Sequence, residues 1–360
     1  MNITYLIGNG FDLNLGLHTR YIDFIDEYVS NTEDDSEDII DFKSYMQQSI
    51  KDQKAGIKPE INWSDAEKAF GQYTEKFKDK TRPAEIFASR HEDFCIKLSS
   101  YLVREETKIQ MDQLISNDKG LKDLSDSLKN FLKGLRPDDA NYAAKKLENI
   151  GNGYKIQFLT FNYTAILDKL VQTVSDKQLL GTRTFGRINY SNTIEMPIHV
   201  HGTTEHGMAL GVNDESQVAY DIFDDNEPEY REQLIKPLFN SAMGEGMDVI
   251  ATDVLTSSDV IYIYGMSLGE TDKRWWERVI NYMNNKQTVI LIIHNLDIPE
   301  RGLIPTHYSR SVRDIRNAFL DYSSVALSSE QYQSIYQRIF PKSFNCFEML
   351  KDIAIDHSES

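Results

Sequence analysis

The chain has 360 residues, 40% hydrophobic and 11% aromatic, which is ample material for a buried core and too apolar for a disordered chain. Its formal net charge of −17 argues against gripping a nucleic-acid backbone, which needs clustered Lys and Arg to displace counterions. Two cysteines, Cys95 and Cys346, are too few for a disulfide framework or a four-cysteine zinc module and fit a reduced, cytoplasmic setting. No stretch nears the roughly 20 apolar residues of a membrane span, and no basic segment precedes an apolar run at the N-terminus. Neither a membrane anchor nor a secretory signal is expected.

Ile3–Ile7 reads as a β-branched strand, followed by Gly8-Asn9-Gly10 and a helix beginning near Phe11. Glycines permit a tight turn that a Cβ resists, and strand, turn and helix N-terminus together can cradle phosphate on converging backbone N–H groups. Leu13 stands where the third glycine of a G-x-G-x-x-G fingerprint belongs. By itself the turn therefore reads first as an ordinary tight turn beside a buried strand. Asp12 can act as a cap; buried near phosphate it would be repelled, so it should face ribose hydroxyls or backbone N–H groups.

Thr19 can cap a helix over 20–29 that buries Tyr21, Phe24, Ile25 and Tyr28. The acidic run 33–38 reads as a solvated loop rather than a metal site. Ser64-Asp65-Ala66-Glu67 has the form of a capping box, ahead of an apolar stripe through Ala69, Phe70 and Tyr73. Apolar spacings of three and four predict further helices through Phe87–Leu102 and Leu121–Leu132, and another covers Ala140–Ile150. Residues 20–150 thus read as a large all-helical insertion, a lid or partner surface, between segments 1–19 and 151–360 of a nucleotide-binding core.

Beyond Gly151 the texture changes. Strands are predicted at 155–161, 196–201, 209–212, 259–264 and 288–293, with helices at 165–174, at 230–239 and from Lys273, which Asp272 can cap. The run Thr288–Ile293 is apolar enough to be buried on both faces, as in a parallel sheet. Strands alternating with helices define an α/β chain with an open, mostly parallel, Rossmann-like sheet flanked by helices. Such sheets take ligands outside the carboxyl ends of their strands, so the strand-ending residues should gather into a nucleotide-sized site. The candidate binding residues are Gly8, Asn9, Gly10, Phe11 and Asp12 from the first turn, and Thr160 from the second. Gly265, Ser267 and Asp272 come from the third, and His294 from the fourth.

Asn162 and His201 are the candidate catalytic residues. The Asn162 carboxamide can donate and accept, so it can orient a water or a ligand amide, or simply cap the helix at 165. In an extended segment His199 and His201 share a face. With His206 they could ligate a metal, but no carboxylate or thiol is spaced to complete the set, and no metal is expected. A neutral His201 beside a sugar hydroxyl can take or relay a proton near pH 7, while His199 reads as structural.

Ile7-Gly-Asn-Gly-Phe-Asp12, Gly16-Leu-His-Thr19-x-Tyr21, Trp63-x-Asp65-x-Glu67, Thr160-Phe-Asn-Tyr-Thr164, His199-x-His-Gly202 and Gly265-x-Ser-Leu-Gly-x-x-Asp272 resemble, in order, motifs of the AbiH family of bacterial phage abortive-infection proteins. His18 stands where that family commonly has proline. More distantly, the set is similar to the sirtuin-like fold. This resemblance implies NAD as substrate or ligand, with Gly8 and Gly10 at the pyrophosphate, Asn162 and His201 at the reacting end, and Gly265 and Ser267 on the far side. Thr164 stands where an aspartate is expected, and two cysteines cannot build the zinc ribbon of protein-deacetylating sirtuins. The resemblance implies an antiphage effector that hydrolyses NAD or a related nucleotide at the N-glycosidic bond. The alternatives are a non-hydrolytic nucleotide-binding sensor or interaction protein, and metal-assisted hydrolysis through His199, His201 and His206. A phage-derived trigger or partner protein and a homo-oligomer are both compatible with this reading.

Overall fold

The computed structural model describes residues 1–31, 36–54, 63–78, 83–219, 222–223, 228–244, 246–268, 272–299 and 305–351. Strand β1 (Asn2–Ile7) and the short α1 (Gly10–Asn14) are followed by α2 (Tyr21–Ser30), α3 (Glu37–Lys54), α4 (Trp63–Tyr73) and α5 (Pro83–Glu106). Helices α6 (Met111–Ser116), α7 (Asp118–Lys129) and α8 (Pro137–Leu147) lead to β2 (Lys155–Thr160) and α9 (Ile166–Asp176). Next come β3 (Thr182–Phe185), β4 (Ile188–Ser191), β5 (Thr193–Ile194) and β6 (Ile198–His199), then α10 (Glu229–Leu234), α11 (Lys236–Ala242) and α12 (Met247–Thr256). The described chain ends with β7 (Val260–Tyr264), α13 (Lys273–Asn285), β8 (Ile290–His294), α14 (Pro305–Ser323), α15 (Ser329–Tyr336) and β9 (Ile339–Lys342).

Seven strands form one sheet in the order β5–β2–β1–β7–β8–β9, with β6 pairing β2 as well, and every pairing is parallel. The predicted α/β class and open parallel sheet are therefore what the chain adopts. Alternation along the strands explains why both faces are apolar. Tyr5, Phe158, Tyr262 and Ile292 point into one core with α6, α7 and α9, whereas Leu6, Leu159, Ile263 and Ile293 point into another with α12–α15. A third apolar cluster joins α2–α5 to residues around 208–238, so the helices between 20 and 150 divide between two cores. Among the described residues no helix is long and apolar enough to cross a membrane.

Several local expectations change. The strand expected at 196–201 shortens to Ile198–His199, and 209–212 forms no strand, only a bridge from Val212 to Ile235. The helix expected over 230–239 breaks at Ile235, which is extended, because Pro237 cannot donate the backbone hydrogen bond a continuous helix needs. Arg20, not Thr19, occupies the cap position of α2. Helix α4 already starts at Trp63, so Ser64 is not its cap; the side chains of 63–66 lie outside the described residues, as do positions 33–35 of the acidic run. Glu37 and Asp38 open α3. The β3–β4 hairpin, β5, β9, α12, α14 and α15 had no sequence expectation.

The turns after β1 and β7 meet backbone to backbone. A Cβ on Gly10 would lie 2.4 Å from the Cα of Gly265, and one on Gly265, at φ +65°, would lie 2.7 Å from the Cα of Gly10. Neither backbone can give way easily, so this contact requires glycine on both sides. Gly10→Ala should therefore lose about 1–3 kcal/mol or more of unfolding free energy in denaturant titrations. Gly181→Ala, at φ +62° with nothing within 4 Å, should lose only the backbone strain of about 1 kcal/mol. Equal losses at the two positions would contradict a steric origin.

Candidate functional site

The glycine turn spends its amide hydrogens on protein. Gly8 N–H donates to the Tyr264 carbonyl (2.9 Å), Gly10 N–H to the Gly265 carbonyl (2.8 Å) and Phe11 N–H to the Gly8 carbonyl (2.9 Å). The Asn9 carboxamide ties the same turn to the 16–19 loop, donating to the Thr19 carbonyl (2.8 Å) and accepting from the Thr19 hydroxyl (2.6 Å). Phe11 is core, packed edge-on against Phe347. The turn thus serves first as the joint between β1 and β7.

Asp12 comes one residue later and is 2% exposed. Its Oδ1 accepts from Asn162 Nδ2 (3.1 Å) and its Oδ2 from the Thr164 hydroxyl (2.8 Å). Side-chain donors from the loop after β2 thus replace the ribose or backbone partners expected for it. Burial raises the Asp12 carboxyl to about 7, opposed by those two hydrogen bonds; Glu106 adds to the rise and His199 works against it. Thr160 is buried, and its hydroxyl accepts from the Asn162 N–H (3.2 Å). The Asn162 carboxamide is thus bonded to an acid.

The two histidines have different partners, because β6 stops at His199 and strand alternation stops with it. His199 Nδ1 lies 3.0 Å from the Asn162 carbonyl and Nε2 lies 2.9 Å from Asp168 Oδ2. Burial opposes charge on this ring, yet the Asp168 carboxylate and the Asn162 carbonyl together raise its pKa above 6.5. These two contacts tie the β2 loop to α9. His201 is 6% exposed, sits edge-on to Phe161 (5.3 Å) and makes no side-chain hydrogen bond among the described residues. Burial, reinforced by the ammonium of Lys236, pushes its pKa well below 6.5, so the imidazole is neutral. Among the described residues no three His, Cys, Asp or Glu side chains form a metal-ligand set.

The remaining candidates have surroundings of their own. Gly265 is in the joint, while Ser267 is exposed. Asp272 heads α13 without a capping hydrogen bond from its side chain; burial raises its pKa and Lys236 counters this. His294 lies one strand farther along, stacked on Tyr264 (4.5 Å), with its pKa pushed down to about 4 by burial and by Lys342. An open cleft of about 400 Å³ between α11, α12 and α13 is lined by Asn240, Asp248 and Arg274 and by none of the candidates. Sequence reasoning missed Glu106, Asp168, Glu67 and Lys236. Only Glu67 carried a signal, as part of Trp63-x-Asp65-x-Glu67.

An open parallel sheet with helices on both faces and buried acid, amide and imidazole groups at its carboxyl edge defines a Rossmann-like α/β protein with a preformed polar site. The family described as "Bacteriophage abortive infection AbiH" matches residues 4–294, well over half of the chain. The chain belongs to that family, which gives it a role in phage abortive infection, and the match contains every candidate residue. No curated protein matches the chain.

The Asp12 carboxyl has a stability signature. Its folded-state value lies above the ordinary 3.8, so the folded chain keeps a proton that the unfolded chain has lost. Its contribution to stability is full below about pH 4, declines up to about pH 7 and is level beyond. Asp12→Asn should therefore gain on wild type as pH rises across that interval, by up to about 4 kcal/mol in denaturant titrations. A constant difference between the two proteins would contradict the burial-raised acid.

Proposed function

We propose that the protein acts in abortive infection by hydrolysing NAD or a related nucleotide at the N-glycosidic bond, at the carboxyl edge of the sheet. The observation that carries this reading is the Asp12–Asn162–Thr164 group, buried and mutually bonded on the β1 and β2 turns. Departure of nicotinamide leaves positive charge on the ribose, and an ionised Asp12 would stabilise it. Asn162 orients the ribose or the water, and neutral His201 takes a proton from that water as its oxygen bonds to the anomeric carbon. The electron pair of the breaking C–N bond leaves with nicotinamide, so atoms and charge balance. The helical segment 20–150, whose α2–α5 share an apolar cluster with residues around 208–238, acts as the lid over this edge.

A second reading, a nucleotide sensor without turnover, has its own support. The Asn162 carboxamide is already bonded to Asp12, which leaves less of it to orient a water. Purified protein incubated separately with NAD, ATP and ADP-ribose, with products identified by mass, separates the two. Hydrolysis predicts free nicotinamide, falling by about 10²–10⁴-fold in Asn162→Ala and in His201→Ala. Release at the wild-type rate in both variants contradicts the mechanism, and dinucleotide bound but recovered intact supports the sensor.

A further inference from the structure

Helix α5 ends on two carboxylates, Glu105 and Glu106, at the end of a helix where negative charge is least favourable. Glu105 is moreover only 3% exposed. Each carboxylate accepts a backbone N–H from another segment: Glu105 Oε2 from His18 (3.0 Å) and Glu106 Oε1 from Ala165. One turn back on the same face, the Tyr101 hydroxyl donates to the His18 carbonyl (2.6 Å). The His18 backbone is therefore gripped on both sides, while its side chain is exposed. A little farther back, the Ser99 hydroxyl donates to the Thr204 carbonyl (2.9 Å), and the Thr204 N–H donates to the Tyr163 carbonyl (3.0 Å).

These bonds lead to Asp12 from two directions. Leu17, next to His18, donates its N–H to the Asp12 carbonyl (3.2 Å), and Thr19 is bonded to Asn9 of the same turn. On the other side, Tyr163 and Ala165 flank Thr164, whose hydroxyl bonds the Asp12 carboxylate, and Asn162 bonds that carboxylate too. A ring of short contacts thus begins and ends on one acid, and the last two turns of α5 close it. Phe87, Phe94 and Leu98 anchor the rest of α5 in the apolar cluster of α2–α4.

We propose that Tyr101, Glu105 and Glu106 are positioning residues for the Asp12–Asn162–Thr164 group: they fix the loop after α1 against the loop after β2 at the spacing that its hydrogen bonds need. Each acts through the backbone of a neighbouring loop rather than on the reacting atoms. The charged groups that face Asp12 are Glu106 and His199, and those around Glu106 are Lys169, Asp168 and Glu205. The inference deepens the hydrolase reading and rests on it for any effect on turnover, whereas the placing of the acid does not. It gives the helical segment a second task besides covering the edge, since Asp12 keeps its donors only while α5 is docked.

The test follows the Asp12 carboxyl by carbon-13 NMR in the full chain across roughly pH 6–9, with the signal assigned through Asp12→Asn. Glu106→Gln keeps an oxygen that can accept the Ala165 N–H, and Glu106→Met does not. Both remove the charge, so the difference between them isolates the bond. Without it, Asn162 and Thr164 should draw away from Asp12 and raise its midpoint in Glu106→Met by about half a pH unit or more above Glu106→Gln. That is roughly a threefold fall in ionised acid at a given pH below the midpoint. The same midpoint in both variants overturns the proposal. If Glu106→Met lacks the near-ultraviolet circular dichroism of the folded chain, Tyr101→Phe decides, because it removes one hydroxyl at constant charge. A midpoint above wild type then supports the ring, and the wild-type midpoint overturns it. On the hydrolase reading, Glu106→Met should also have a kcat about tenfold below that of Glu106→Gln, with KM within about twofold. Wild type that releases no nicotinamide counts against the hydrolase reading alone, because the titration needs no turnover.

Discussion

The site depends on two backbones touching. Gly10 and Gly265 bring the turns after β1 and β7 to a distance that no side chain allows, and the Gly10 N–H to Gly265 carbonyl bond locks them there. Because β1 lies between β2 and β7, fixing this turn against β7 also sets the start of α1 against the β2 loop. Asp12, two residues on, meets the loop that carries Asn162 and Thr164. The glycines that suggest a phosphate cradle in the sequence are thus first a device for aiming an acid.

Burial acts in opposite directions on the titratable groups of these turns. It raises Asp12 to about 7 and lowers His201, while on His199 its effect is outweighed by Asp168. Groups whose environments push them toward different charge states are how a site separates the tasks of acid, base and support. Although the chain carries −17 overall, its buried groups include an acid raised to about 7, an uncharged imidazole and a Lys–Glu pair.

Much of the sheet was legible because β-branched and aromatic runs with short turns announce buried parallel strands, and 3–7, 155–161, 259–264 and 288–293 were found within a residue or two of their bounds. Convergence at the carboxyl edge is a matter of topology and needs no side-chain detail. What could not be read is what depends on side chains meeting across elements. The Asp12–Thr164 bond joins residues 152 apart, and Lys236 and Glu67 lie on helices whose docking no local pattern specifies. The shared face of His199 and His201 failed because alternation holds only while a strand lasts. β9 escaped notice because four residues with a proline, Ile339-Phe-Pro-Lys342, carry almost no periodic signal.

Strand β1 is among the first residues in the sequence and yet pairs with partners far along it: Thr4 bonds Ser258 across 254 residues. Closing so long a loop adds little entropy, since that term grows only logarithmically, but it makes assembly slow and order-dependent. On a ribosome, β1 must wait with its apolar faces uncovered until β2 and then β7 have emerged, and the joint at Gly10 cannot form before Gly265 is made. Most of the polypeptide therefore has to be synthesised before the pocket exists in any form.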